Sequence, residues 1–145
     1  MLRISPEQME VFQPVAEEAF VIRVAEHLRD NHADVAVQVP DKVLVVKQIP
    51  EEMLQEMVRQ GLARARQYGL DWESSLTAFV VLMFVAAPNF DRHALVERVL
   101  KDERVEANSR IDQLWEKTSE ENWRVVKENY DVNAWGWGDE KVNSE

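Results

Sequence analysis

Apolar and polar positions divide the chain into stretches with one greasy side and one stretch that is greasy all round. Leu76-Thr77-Ala78-Phe79-Val80-Val81-Leu82-Met83-Phe84-Val85-Ala86-Ala87 is apolar on every side and stops at Pro88. A helix with that pattern must be surrounded by others, so it is expected to be the axis of a helical domain. Around it, Phe12, Val15, Ala16, Ala19, Phe20, Val24 and Leu28 keep helical spacing after Ser5-Pro6-Glu7-Gln8, a capping-box start with proline at the first helical position. Pro14 interrupts that stripe, and a kink or break is expected there.

Met53, Leu54, Met57, Val58, Leu62 and Ala65 form the stripe of a second helix that opens at Pro50-Glu51-Glu52 and ends at Gly69, a left-handed cap. Arg59, Arg64 and Arg66 fall in its later turns, where cations oppose the helix dipole. Asp71 is expected to cap the central helix, which spans about 72–87. A short helix from about Arg92 to Lys101 follows the turn Asn89-Phe90-Asp91, with His93 helping its first turn. A last helix runs from Glu106 or Ala107 to about Glu128, with Ile111, Leu114, Trp115, Trp123 and Val126 facing inward. Ser119-Glu120-Glu121-Asn122 can divide it, with Thr118 or Ser119 as cap.

One segment breaks the helical pattern. Val35, Val37 and Val39 alternate with Ala36 and Gln38, Pro40-Asp41 signals a turn, and Val43-Leu44-Val45-Val46 follows. Valine is stiff at χ1 and suits a pleated strand, so a short β-hairpin is expected at about 35–48, against the alternative of an irregular connector. The fold class is therefore mainly α: a compact bundle of about five helices around the central apolar one, plus the hairpin. Residues 1–134 are read as a single domain and 135–145 as a tryptophan-containing tail.

Composition adds limits. The chain has 145 residues, 46% of them hydrophobic, which suits one domain with a real core. A net charge of -10 disfavours nucleic acid and anionic membranes, and suits a cationic protein partner through steering. With no cysteine, disulfides, thiol catalysis and cysteine-bound zinc are excluded. The N-terminus lacks a basic then apolar leader, and the apolar axis is shorter than the roughly 20 residues of a spanning helix, so a cytoplasmic location is expected.

Candidate chemistry is sparse. His27, His32 and His93 make no one-turn zinc pair. Asp30, His32 and Asp34 alternate as metal ligands can, and equally as a solvated helix end does, so no metal is assigned. Ser74 and Ser75 lack the glycines of a nucleophile elbow, and Glu17 with Glu18 or Asp112 with Glu116 read as solvated helix faces. No catalytic residue, cofactor or metal is expected. The candidate partner-binding residues are Val37, Val39, Val43 and Val45, a valine-rich edge fit for strand addition, and Trp135 and Trp137, bulky anchors around Gly136. Packing of the valines and of the tail against the domain is the competing reading for both.

Several stretches together resemble a family: Met1-Leu2-Arg3-Ile4 with Gln8-Met9 and Phe12; Gly61-Leu62-Ala63-Arg64-Ala65-Arg66-Gln67-Tyr68-Gly69-Leu70; Leu82-Met83-Phe84 through Pro88-Asn89-Phe90-Asp91; Val99-Leu100-Lys101-Asp102 with Arg110-Ile111-Asp112-Gln113-Leu114; and Tyr130-Asp131 with Ala134-Trp135. On these the chain resembles the small accessory proteins encoded beside type VI secretion effectors and spike-tip proteins in Gram-negative bacteria. The valine-rich segment departs from that resemblance, and no catalytic residues come with it. It implies a non-enzymatic protein-binding role, as chaperone, co-chaperone or adaptor of an effector or its spike-tip carrier. The alternatives are a cytoplasmic immunity protein that blocks a cognate toxin and a carboxylate-dependent hydrolase.

Overall fold

The all-apolar stretch does form a helix at the centre of the protein. The computed structural model describes residues 6–136, with side chains from Glu17 onward. Six α-helices and one hairpin make up the described residues: α1 Pro6–Asn31, β1 Ala36–Val39, β2 Lys42–Val45, α2 Glu51–Gln67, α3 Glu73–Val85, α4 Ala94–Leu100, α5 Arg110–Lys117 and α6 Glu120–Glu128. Single 3-10 turns at Val46–Gln48, Phe90–Arg92, Ala107–Ser109 and Val132–Trp135 join or end them.

From Ser75 to Val85 every residue of α3 is buried or half-buried. The helix α2 packs closest to it, because Gly61 lets the two backbones approach. A Cβ on Gly61 would lie 2.8 Å from Met83 Sδ and 3.1 Å from Val80 Cγ2. On α1, Phe20, Val21, Val24, Ala25 and Leu28 are buried, whereas Ala19 lies exposed. The expected break at Pro14 does not occur, and α1 continues through it. An interior proline removes one ladder bond, but the turns after it are held by the buried stripe from Phe20 on.

Ion pairs and a hydrogen bond fasten α1 to its neighbours. Arg66 meets Glu17 at 2.6 Å, Arg59 meets Glu18, Arg23 meets Glu73 at 2.9 Å, and Arg29 donates to the Ile49 carbonyl at 2.7 Å. Glu17 and Glu18 are thus occupied as arginine partners.

The hairpin is antiparallel, with Val39 opposite Lys42, Gln38 opposite Val43 and Ala36 opposite Val45 across a Pro40-Asp41 turn. Alternation sends Val37 and Val39 into the core. After α2, Gly69 takes φ +90° and its N–H donates to the Arg66 carbonyl at 2.9 Å, as a left-handed helix end requires.

Asp71 does not cap α3. Among the described residues no side chain caps the first turn of α3; Asn108, from the turn before α5, instead holds the segment that leads into it, its Oδ1 accepting from the N–H groups of Asp71 (3.1 Å) and Trp72 (2.9 Å). Its Nδ2 donates to Asp71 Oδ1 at 2.7 Å, so Asp71 orients that amide. The separate α5 and α6 confirm the division at Ser119, whose side chain accepts from the Asn122 N–H at 3.1 Å.

Arg64 is not simply a cation at a helix end. It reaches the Pro88 carbonyl, Asp91 Oδ1 at 3.1 Å and the Ala134 carbonyl at 2.5 Å, and so joins α2, the α3–α4 turn and the C-terminal turn. Tyr68 completes this cluster by donating to Asp91 Oδ2 at 2.8 Å. Burial, then the Asp91 charge and hydrogen bond, raise the Tyr68 phenol far above its ordinary value, so it stays a donor. Among the described residues no helix is long and apolar enough to cross a membrane.

Candidate functional site

An open apolar groove arises from the break between α5 and α6. On a straight helix, residues eight apart are separated by about 12 Å along the axis. Here the chain turns at Thr118-Ser119, and the rings of Trp115 and Trp123 meet at 6.0 Å between centroids with 39° between planes. The two indoles form one wall of this groove of about 410 Å³, whose floor is Leu82 and Val85 of α3 and Ala86 just after it. Glu120, Arg124 and Lys127 supply a polar rim.

Trp115 was expected to face inward with Ile111 and Leu114. It is instead 58% exposed, because Ile111, Leu114 and Thr118 already fill the buried line of α5 and the residue after Leu114 falls at its edge. Trp123 is half-buried at the margin of the core. An indole left this open is an uncommon use of a large apolar side chain, and tryptophan is the residue type most enriched at binding hot spots.

The rim is partly fixed. Arg124 is held between Glu121 and Glu128 of its own helix, which keeps its stem along the groove. Lys127 forms no ion pair among the described residues. The elbow contains a second anomaly: the buried Thr118 hydroxyl has no hydrogen-bond partner among the described residues.

The residues singled out from sequence fall elsewhere. Val37 and Val39 lie in the core, Val45 is half-buried, and Val43 alone of the four is open, at 62%. Trp135 is fully buried, with its ring 4.9 Å from that of Phe84, so the packed body extends at least to this residue. Trp137 lies outside the described residues. The structure does bring the hairpin and the tail together, since Trp135 Nε1 donates to the Gln38 carbonyl between Val37 and Val39. Tyr130 also binds there, accepting from the Gln38 N–H at 3.0 Å. The outer edge of β1 is therefore occupied at Gln38 by side chains of the same chain, and on β2 the Val45 N–H is likewise taken, by Gln48 Oε1 at 3.0 Å.

The histidines serve local structure. His27 and His32 stand edge to face at 5.6 Å, and burial followed by the neighbouring His27 lowers the pKa of His32. His93 Nδ1 accepts from the Leu95 N–H at 3.2 Å and caps α4. Among the described residues no three His, Asp or Glu side chains are grouped to hold a metal, and Asp34 is paired with Lys47 at 3.0 Å.

Comparison of the chain with known protein families, with curated proteins and with solved structures finds no match.

Proposed function

We propose that this protein is a non-enzymatic binding accessory of a type VI secretion effector locus, a chaperone, co-chaperone or adaptor that acts in the cytoplasm on an effector or its spike-tip carrier. The observation that carries the binding role is Trp115, exposed and set at a tilt against Trp123 over an apolar floor with a charged rim. Desolvating that pair against an apolar segment of a partner releases surface that is now in contact with water. The assignment to a secretion locus rests on the sequence resemblance alone. The stretches that carry it meet in the fold: Arg64, Tyr68, Pro88, Asp91 and Ala134 belong to one hydrogen-bonded cluster. They support a shared scaffold; of the groove, only the floor at Leu82, Val85 and Ala86 belongs to those stretches, and its tryptophan wall and charged rim lie outside them.

Co-expression with the neighbouring effector and spike-tip genes tests this reading, comparing the native chain with Trp115→Ser and Arg124→Glu. For a helper, effector accumulation or export falls without the protein, and Trp115→Ser weakens capture without changing the fold. Protection of cells after the toxin has already folded would instead identify an immunity protein, a role to which the net charge of -10 is suited if the toxin is basic. Unchanged capture by both variants removes the groove from consideration.

A further inference from the structure

A second hollow, of about 500 Å³, lies between the loop after α4 and the end of α5, and four cations line it: Arg98, Lys101, Arg104 and Lys117. Among the described residues only two carboxylates, Asp102 and Glu103, line it with them. On a chain whose net charge is -10, this is a local reversal of sign. Its charges are also unequally engaged. Lys101 meets Glu97 at 3.3 Å. Asp102 holds Arg104 by Nε at 2.9 Å and Nη2 at 3.1 Å, and takes the Arg104 N–H at 3.0 Å. This fork sets the plane of the guanidinium and leaves Nη1 outside it. Arg98 and Lys117 form no ion pair among the described residues.

Cations at the ends of α4 and α5 oppose the helix dipoles, which accounts for the sign of Arg98, Lys101 and Lys117. It does not account for Arg104, which lies in the loop, or for the convergence of all four on one hollow. We propose that this hollow binds a compact oxyanion with more than one negative charge, phosphate or carboxylate in chemistry, between Arg98, Lys117 and the free edge of Arg104. Compactness follows from the surroundings. A long polyanion would run onto the acidic surface, while at physiological ionic strength screening over about 8 Å limits the repulsion felt by a small ion within the hollow. The site is independent of the tryptophan groove.

The test is a ¹H–¹⁵N NMR titration of the full chain with pyrophosphate and with citrate, using acetate as the monoanionic control. Saturable shifts centred on residues 98–104 and 117 are expected for at least one of the two multivalent probes, with clearly weaker binding of acetate. The stronger probe distinguishes phosphate from carboxylate chemistry. Arg98→Gln with Lys117→Gln should weaken binding about tenfold or more at an unchanged melting temperature, because two charge-assisted contacts are lost. Arg98→Lys, which keeps the charge, should retain most of it. Shifts that never saturate, that scatter over remote cations such as Arg23, or that persist in the double variant would overturn the proposal.

Discussion

The indole Nε1 of Trp135 donates to the backbone carbonyl of Gln38 at 3.0 Å, joining residues 97 apart in sequence. The contact solves two problems at once. A buried indole needs an acceptor, and a two-stranded hairpin has edge carbonyls that need a donor. It also explains how so small a sheet is retained on a helical body. Tyr130 and Trp135 bind Gln38, while Val37 and Val39 on either side of it enter the core. The C-terminal turn acts as a strap over β1, fastened at its far end by Arg64 to the Ala134 carbonyl.

Trp135→Ala should therefore destabilise the whole domain, by about 3–5 kcal/mol, as loss of a fully buried large side chain does. Trp135→Phe fills much of the volume but loses the hydrogen bond, and should be milder. Trp115→Ala should change stability by less than about 0.5 kcal/mol, as expected for an exposed side chain. Urea denaturation of the three variants checks the ranking. A stable Trp135→Ala would show that the strap is not part of the cooperative unit.

The Arg64 cluster gives a second ranking. Asp91 is buried, and Arg64 nearly so. Removing one partner leaves the other charge uncompensated, so Asp91→Ala should lose about 3–5 kcal/mol. Combining it with Arg64→Met should cost less than the sum of the single changes, because the stranded cation is removed too. Tyr68→Phe, which deletes one bond to the same carboxylate, should lose about 1–2 kcal/mol. Thermal melts of the four variants provide the double-mutant cycle.

What sequence could and could not show follows from the range of the interactions. The central helix was legible because an apolar surface on all sides needs no phase to be recognised. The hairpin was legible from valine alternation around Pro40-Asp41, and the α5–α6 division from Ser119. Each is a local signal. Arg64 was legible only as a cation near a helix end, since its acceptors at Pro88 and Ala134 come from 24 and 70 residues away. Asp71 has the residue type of a cap, yet it does not cap α3 and is itself held by a side chain 37 positions later. Trp115 sits one turn after Ile111, where the helical stripe alone points it inward. The elbow at Thr118-Ser119 decides its exposure, and the sequence marks the elbow without giving its angle. Val37, Val39 and Trp135 had the right composition for an anchor surface, but all three are buried inside the domain, and Val43 alone of the valines is left open.

Thr118 offers a stabilising substitution. Its hydroxyl is buried without a partner among the described residues, and its backbone at φ -102°, ψ 117° is extended, where a β-branched residue is at ease. Thr118→Val keeps the shape and the N–H bond to the Leu114 carbonyl at 3.0 Å, while removing the stranded polar group. A gain of about 1 kcal/mol is expected, because an unsatisfied buried hydroxyl costs about that or more. A fall in the melting temperature would mean that the hydroxyl is satisfied in solution.

Gly61 tests the packing between α2 and α3. Alanine would gain helix propensity, but the 2.8 Å approach of Met83 Sδ opposes it, and the two effects nearly offset. Gly61→Leu cannot be absorbed, and overpacking of about 1–3 kcal/mol or more should follow, seen as a lower urea midpoint.

Asp102 carries the pH dependence with the clearest sign. The Arg104 side chain, then the Arg104 N–H, and more weakly the charge of Lys117, hold its carboxyl at about 2 against an ordinary 3.8. The folded state therefore releases this proton more readily than the unfolded one. Its contribution to stability is complete above pH 3.8 and disappears as the pH falls through about 2. Carboxyl ¹³C NMR should find Asp102 titrating well below its ordinary value of 3.8. In Arg104→Gln the midpoint should move up towards the ordinary value, whereas Lys117→Gln should move it less, because the fork is the larger cause. An unshifted Asp102 in the native chain would show that the fork does not persist in solution, and that the Arg104 guanidinium is free to leave the loop.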